Sequence, residues 1–210
     1  MADLLLYHAV PSRSMSVHWM LEEVGEPYEL KVLSLEGQEH KTPEYLAINP
    51  QGRVPTLVHR GRVISESGAI NAYLADTFSK ANLAPSIDSP LRGDYYRWLF
   101  FGPATMEPAI LWAGLGKQVE NIDYKPFPAV DEIVETLLEL LAGREYVVGD
   151  HFTAADITIG GGLMWGMQMF KVIPALPEFV QYWERLEQRP AWQRSNKMNA
   201  EIMSRKESRQ

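Results

Sequence analysis

The sequence predicts two domains of different class: an α/β domain of order βαβ, helix, ββα over residues 1–79 and an all-α bundle over residues 91–210, with a linker at 80–90. Three observations predict this. Short apolar or alternating runs of strand length stop before residue 66, at 4–7, 28–33, 54–59 and 62–65. Residues 79–90 carry Asn82, Pro85, Ser86, Asp88, Ser89 and Pro90 with little periodicity, as inter-domain segments do. Every patterned stretch beyond them has helical spacing.

Leu4-Leu5-Leu6-Tyr7 is a continuous apolar run, the pattern of a strand buried on both faces. After Pro11, residues 14–24 place Met15, Val17, Trp19, Met20, Leu21 and Val24 at helical spacing, and Gly25 with Pro27 stops them. That helix begins near Ser12 or Arg13. Residues 28–33 alternate as a strand, which completes a βαβ unit with parallel strands and a right-handed crossover. Thr42-Pro43 reads as an N-cap followed by proline at the first helical position, opening a short helix that ends before Asn49-Pro50. Arg60-Gly61 turns a hairpin between residues 54–59 and 62–65, and a helix runs from Ser67 to about Phe78.

In the second domain, residues 91–117 are long, aromatic and interrupted by Pro103 and Pro108, so a bend or break is expected there. Residues 130–142 present a broad apolar face and end at Gly143. Thr153-Ala154-Ala155-Asp156 is a capping box with Asp in place of the usual Glu. Its helix contains Gly160-Gly161-Gly162, each costing up to about 1 kcal/mol relative to Ala, which implies a close helix crossing. Residues 177–187 and 191–204 complete the bundle, and residues 197–209 read as a solvated, frayed end.

Composition narrows the function. The net charge of −7 argues against nucleic acid as a partner. No apolar run approaches the ~20 residues that cross a bilayer, and residues 1–6 lack the pattern of a signal peptide, so no membrane partner and a cytoplasmic location are expected. Cysteine is absent, which removes disulfides, thiolate metal sites and any protein thiol nucleophile. The five histidines show no H-x-x-x-H spacing, so no metal is expected, and neither glycine-rich nucleotide fingerprint is present.

Two stretches carry chemistry. Pro55 cannot donate to a ladder, so Val54-Pro55 lies on an edge or follows a cis bond, and Val54 turns its backbone N–H and C=O to something other than a strand. Glu66-Ser67 sits where a strand hands over to a helix whose first-turn N–H groups favour an anion. Together they suit a small peptide with a carboxylate.

The segments Asn49-Pro50 through Val54-Pro55-Thr56-Leu57, Glu66-Ser67-Gly68-Ala69-Ile70 and Gly143-Arg144-Glu145-Tyr146-Val147-Val148-Gly149-Asp150-His151-Phe152-Thr153-Ala154-Ala155-Asp156-Ile157, in this order, resemble the soluble glutathione S-transferases, nearest to the serine-type theta- and delta-like classes. The resemblance implies a thioredoxin-like first domain, a helical second domain, a homodimer with a site between domains, and a detoxification role. It identifies the peptide as glutathione, a co-substrate. Val54 resembles the residue whose backbone pairs with the cysteinyl part, Pro55 the family's cis-proline, Glu66 and Ser67 the pair holding the γ-glutamyl end, and Arg53 and His40 the cationic residues near the glycyl carboxylate.

Ser12 best matches the family's sulfur-binding serine, with Ser14 and Tyr7 as alternatives. The chemistry needs a donor there, because a free thiol has a pKa of ~8.5 and is only slightly ionised at pH 7. Two departures matter: the basic residue that serine-type members often hold four positions after the serine is Ser16, and no cysteine stands near Arg13, which disfavours disulfide exchange. Val10, Pro11, Phe101, Thr105 and Met106 are the candidates for an apolar wall suited to varied electrophiles. The expected function is conjugation of the glutathione thiolate to electrophilic, largely apolar small molecules. The alternatives are a glutathione-binding regulatory protein with little catalysis, or a glutathione-dependent dehalogenase, isomerase or peroxidase.

Overall fold

The computed structural model of the protein describes residues 3–116 and 127–207. Strand β1 (Leu4–His8) pairs parallel with β2 (Tyr28–Val32) and antiparallel with β3 (Thr56–His59), and β4 (Arg62–Ser65) pairs antiparallel with β3. The sheet order is β2-β1-β3-β4. Helix α1 (Ser14–Val24) joins the two parallel strands, and α2 (Pro43–Leu46) leads back toward β3. The Thr42 side chain accepts the Tyr45 N–H with Pro43 at the first helical position, the predicted cap. Helix α3 (Ser67–Thr77) follows β4. The Val54–Pro55 bond is cis and β3 begins just after it in the middle of the sheet, so the edge-strand option falls away; Val10–Pro11 is cis as well.

Alternation along β1 divides its side chains between two faces. Leu4 and Leu6 join Val17, Met20, Leu21, Leu57, Ile70 and Leu74 in the buried core under α1 and α3. Tyr7 emerges on the opposite face, its ring centroid 5.2 Å from that of Tyr45 in α2.

The helical region begins with α4 (Arg92–Phe101) and α5 (Glu107–Gly114), separated by a π-helical turn at Gly102–Met106. Pro103 has no N–H to give the α-helical ladder, so the interruption expected at the prolines is a widened turn. The helix end expected near Lys117 falls outside the described residues. Then follow α6 (Val130–Leu141), α7 (Ala154–Met164) and α8 (Pro177–Glu187). The close packing expected of the α7 glycines is found at two of the three. A Cβ on Gly160 would collide with Leu186 Cδ1 and one on Gly162 would lie 2.9 Å from Met106 Sδ, whereas Gly161 has open space.

The last helix, α9 (Pro190–Glu207), covers the helix expected at 191–204 and runs on through residues expected to fray, while positions 208 and 209 lie outside the described residues. The chain forms two compact units, and α9 belongs with the sheet: one unit takes the residues up to Ala81 and those from Arg189 onward, the other Asn82–Gln188. Arg189 grips Glu23 through two hydrogen bonds of 2.7 and 2.8 Å, and Arg194 Nε donates to Glu22 Oε2 at 2.6 Å. Between these anchors and the C-terminus, Ser195 and Asn199 are buried one turn apart against α1.

Candidate functional site

Four segments leave the sheet at one end. The last full rung is Tyr7, Thr56 and Ser65, so the chain from His8 onward, Pro55 with Val54, and Glu66 with Ser67 all lie beyond it. The end of β2 joins them, Leu33 N–H donating to His8 C=O at 2.7 Å. The sequence-predicted residues Ser12, Val54, Pro55, Glu66 and Ser67 thereby all follow or precede the strands at one end of the sheet.

Val54 stands outside the ladder, and among the described residues its backbone N–H and C=O have no hydrogen-bond partner. The loop presenting it is rigidly held. The preceding carbonyl, of Arg53, accepts from Tyr45 Oη at 2.6 Å, Asn49 Nδ2 at 3.0 Å and Thr56 Oγ1 at 3.3 Å, and Asn49 Nδ2 also reaches Thr56 Oγ1 at 2.9 Å. Burial raises the pKa of the Tyr45 phenol, which keeps it a donor. Gly52 is required twice over: its φ is +57°, and a Cβ would lie 2.7 Å from His40 C=O. That contact brings the His40 backbone beside the loop. His40 Nδ1 is buried without a partner among the described residues, and the Arg53 side chain is exposed.

Glu66 adopts φ +70°, ψ 117°, a conformation costing about 1–3 kcal/mol for a non-glycine residue. No side chain caps α3, and the Ser67 hydroxyl has no partner among the described residues. The first turn of α3 therefore offers free N–H groups and a free hydroxyl beside Val54, a seat for a carboxylate.

The three candidate thiol donors differ sharply in surroundings. Ser12 is half-buried; its Oγ donates to Ala9 C=O at 2.7 Å, accepts the Ser14 N–H at 3.1 Å and lies 2.6 Å from Ser14 Oγ. Ser14 is fully buried and enclosed by Ala9 N–H, Ala9 C=O, Ser12 Oγ and His8 Nδ1, the last at 2.7 Å. Tyr7 faces a different cavity of about 310 Å³, lined also by Lys31, Leu33, Glu39, Tyr45 and Ile48, which includes none of Ser12, Val54, Glu66 or Ser67. Of the apolar candidates, Val10 is buried and Pro11 exposed in the sheet unit. Phe101 and Thr105, partly exposed, and Met106, fully buried against Gly162, belong to the helical unit.

The family model for the glutathione S-transferase N-terminal domain matches residues 2–76, and that for the glutathione S-transferase C-terminal domain matches residues 98–190. The chain belongs to the glutathione S-transferase family. Glutathione S-transferase 2 of Schizosaccharomyces pombe is 30% identical over 220 residues, covering 91% of this chain and 94% of that protein. A sphingomonad glutathione S-transferase complexed with glutathione superposes with a TM-score of 0.78 at 27% identity, over 93% of this chain and 98% of its own. The theta class glutathione S-transferase of Xanthomonas axonopodis pv. citri, with glutathione bound, gives 0.76 at 28% identity, over 93% and 97%.

Within this transferase fold, sequence reasoning missed the residues that hold the site. Asn49 stood out only as a helix end, and Tyr45 and Thr56 not at all. His8 and Asn199 were also missed. His8 Nε2 lies 2.9 Å from the side-chain amide of Asn199, and burial, reinforced by neighbouring His18, lowers the His8 pKa from 6.5 to about 4. Among the described residues no helix is long and apolar enough to cross a membrane, and no group of three His, Asp or Glu is placed to hold a metal.

Proposed function

We propose that this protein conjugates glutathione to electrophilic, largely apolar small molecules, with Ser12 donating a hydrogen bond to the glutathione sulfur. The observation that carries the reading is the unpaired backbone of Val54 beside the uncapped start of α3, at the sheet end that also holds Ser12. Val54 pairs with the cysteinyl unit as a strand would. The first turn of α3, with Ser67 and Glu66, receives the γ-glutamyl end, and Arg53 and His40 the glycyl carboxylate. The cysteinyl sulfur then falls toward the loop after β1. A hydroxyl donor and the start of α1 favour the thiolate, and each unit of pKa lowering corresponds to about 1.4 kcal/mol. The thiol proton passes to solvent, and the thiolate forms a carbon–sulfur bond as the leaving group departs with its electron pair or as the electrophile's double bond takes up the charge. Pro11, exposed and next to Ser12 in the chain, is the proposed apolar contact of the electrophile in the sheet unit, whereas Met106, closed in against Gly162, is core. The reading extends to a cytoplasmic homodimer.

The test is the ultraviolet thiolate absorbance of bound glutathione. Wild type should develop it below pH 8, Ser12→Ala should lose it, and Tyr7→Phe should keep it. Glutathione bound without thiolate in wild type would replace the transferase by a binding protein; a Ser12→Ala variant indistinguishable from wild type would move the donor elsewhere.

A further inference from the structure

Behind Ser12 runs a chain of polar groups, buried through His18, that ends at Glu22 in the last turn of α1. Ser12 Oγ meets Ser14 Oγ, Ser14 Oγ meets His8 Nδ1, His8 Nε2 meets the Asn199 amide, the same amide atom meets His18 Nδ1 at 3.0 Å, His18 Nε2 meets Tyr28 Oη at 2.9 Å, and Tyr28 donates to Glu22 Oε1. His8, His18, Ser14 and Asn199 are all buried. Burial lowers the pKa of both imidazoles and raises that of the Tyr28 phenol, so each ring carries one proton and Tyr28 keeps its own.

The available protons fix the orientation of the shared amide. With Oδ1 facing both imidazoles, each ring must place its single proton on the Asn199 side. Tyr28 then has one hydrogen for two acceptors, His18 Nε2 and the Glu22 carboxylate. With the isosteric –NH2 facing them, its two hydrogens go to His8 Nε2 and His18 Nδ1, and every contact in the chain holds one proton. His18 donates to Tyr28 and Tyr28 to Glu22. On the other arm His8 Nδ1–H donates to Ser14 Oγ, which also accepts the Ala9 N–H at 3.0 Å. With both its lone pairs engaged, Ser14 donates to Ser12 Oγ, the shorter of its two remaining contacts at 2.6 Å against 3.0 Å for Ala9 C=O. Ser12 Oγ, accepting from Ser14 Oγ–H and Ser14 N–H, has both lone pairs engaged as well, and its one hydrogen rests on Ala9 C=O at 2.7 Å.

We propose that Asn199, acting through His8 and Ser14, is a positioning residue that makes Ser12 an obligate donor. An S–H group finds no acceptor on such a hydroxyl, whereas a thiolate, a stronger acceptor than a neutral carbonyl, draws the Ser12 hydrogen from Ala9 C=O to itself, so the chain selects the ionised sulfur. The proposal rests on Ser12 as the sulfur's donor, and its first test does not. Long-range ¹H–¹⁵N correlation spectra of the histidine rings in the full-length protein at pH 7 report the tautomers directly. Neutral His8 with its proton on Nδ1 and neutral His18 with its proton on Nε2 are expected; a His8 proton on Nε2, or a charged His8, overturns the proposal. The second test is Asn199→Asp, which offers the rings acceptors only. It should move the His8 proton to Nε2 and raise the thiol pKa of bound glutathione by about one unit, while His8→Asn, which keeps a donor near the Nδ1 position, should retain most of the wild-type value. A thiol pKa unchanged in Asn199→Asp while Ser12→Ala abolishes the thiolate would leave Ser12 in place and remove Asn199 from the mechanism. Unchanged thiolate in Ser12→Ala would instead remove the reading beneath it.

Discussion

At the start of α7, the side chains of Thr153 and Asp156 satisfy the donors around them within the protein; at the start of α3, those of Glu66 and Ser67 satisfy none among the described residues. Both starts pair a hydroxyl with an acid, yet they differ in every physical respect. Asp156 is buried and accepts from Thr153 N–H at 2.8 Å, Thr153 Oγ1 at 3.2 Å, Val147 N–H at 2.9 Å and Tyr182 Oη at 2.9 Å. Burial raises its pKa against the pull of these donors. Glu66 is exposed and its backbone is strained. A helix start closed on itself stabilises the fold; one left open at a cost in strain is available to a ligand.

The largest expected effect lies at the closed start. Asp156→Ala strips the acceptor from buried donors on three segments and should destabilise the protein by about 3–5 kcal/mol in denaturant titrations, without altering glutathione affinity in the folded fraction. A loss below about 1 kcal/mol would erase the contrast, because α7 would then not depend on its box.

The start of α1 stands between the two: Ser12 is half-buried with its hydrogen on Ala9 C=O, and Ser14 and His8 are closed in behind it. Its signature is pH dependence. The His8 pKa is about 4 in the folded protein against an ordinary 6.5, so between those values the unfolded chain binds a proton that the folded one does not. Stability therefore falls as pH falls through this window, by about 3 kcal/mol for His8, and His18, also lowered by burial, adds in the same direction. Denaturation midpoints measured from pH 7 to 4 should show this slope in wild type and a shallower one in His8→Asn. Equal slopes would mean that His8 titrates normally and that this helix start is as open as that of α3.

The three starts were not equally legible. The box at α7 was readable because its partners are three residues apart and follow a fixed backbone pattern, as were Thr42-Pro43 and the Arg60-Gly61 turn. The open start at α3 was readable in outline, because Glu66-Ser67 and Val54-Pro55 interrupt strand patterns locally. The chain behind Ser12 was not, since His8 and Asn199 are 191 positions apart. The error over α9 has the same origin. Ser195 and Asn199 put polar groups on the buried face of that helix, where an apolar stripe would have announced packing on α1, so the helix at 191–204 is legible but its partner is not, and residues 197–209 read as solvated. Met106 shows the converse: an apolar residue in an interrupted helix reads equally as wall or as core, and only Gly162 opposite it shows that it is packed inside.

The smallest stability effect is expected at the open start, and it is the most discriminating. Ser67→Ala removes no hydrogen bond among the described residues, so denaturation should shift by less than about 0.5 kcal/mol. If the hydroxyl serves the γ-glutamyl carboxylate, glutathione affinity by calorimetry should drop about tenfold, or about 1.4 kcal/mol, the value of a hydrogen bond to a charged group. The opposite pattern, a loss of stability near 1 kcal/mol with affinity unchanged, would make Ser67 an ordinary cap and α3 a second version of α7. A drop in affinity with stability intact separates the two helix starts as the geometry does: one spends its acceptors on the fold, the other keeps its donors for a ligand.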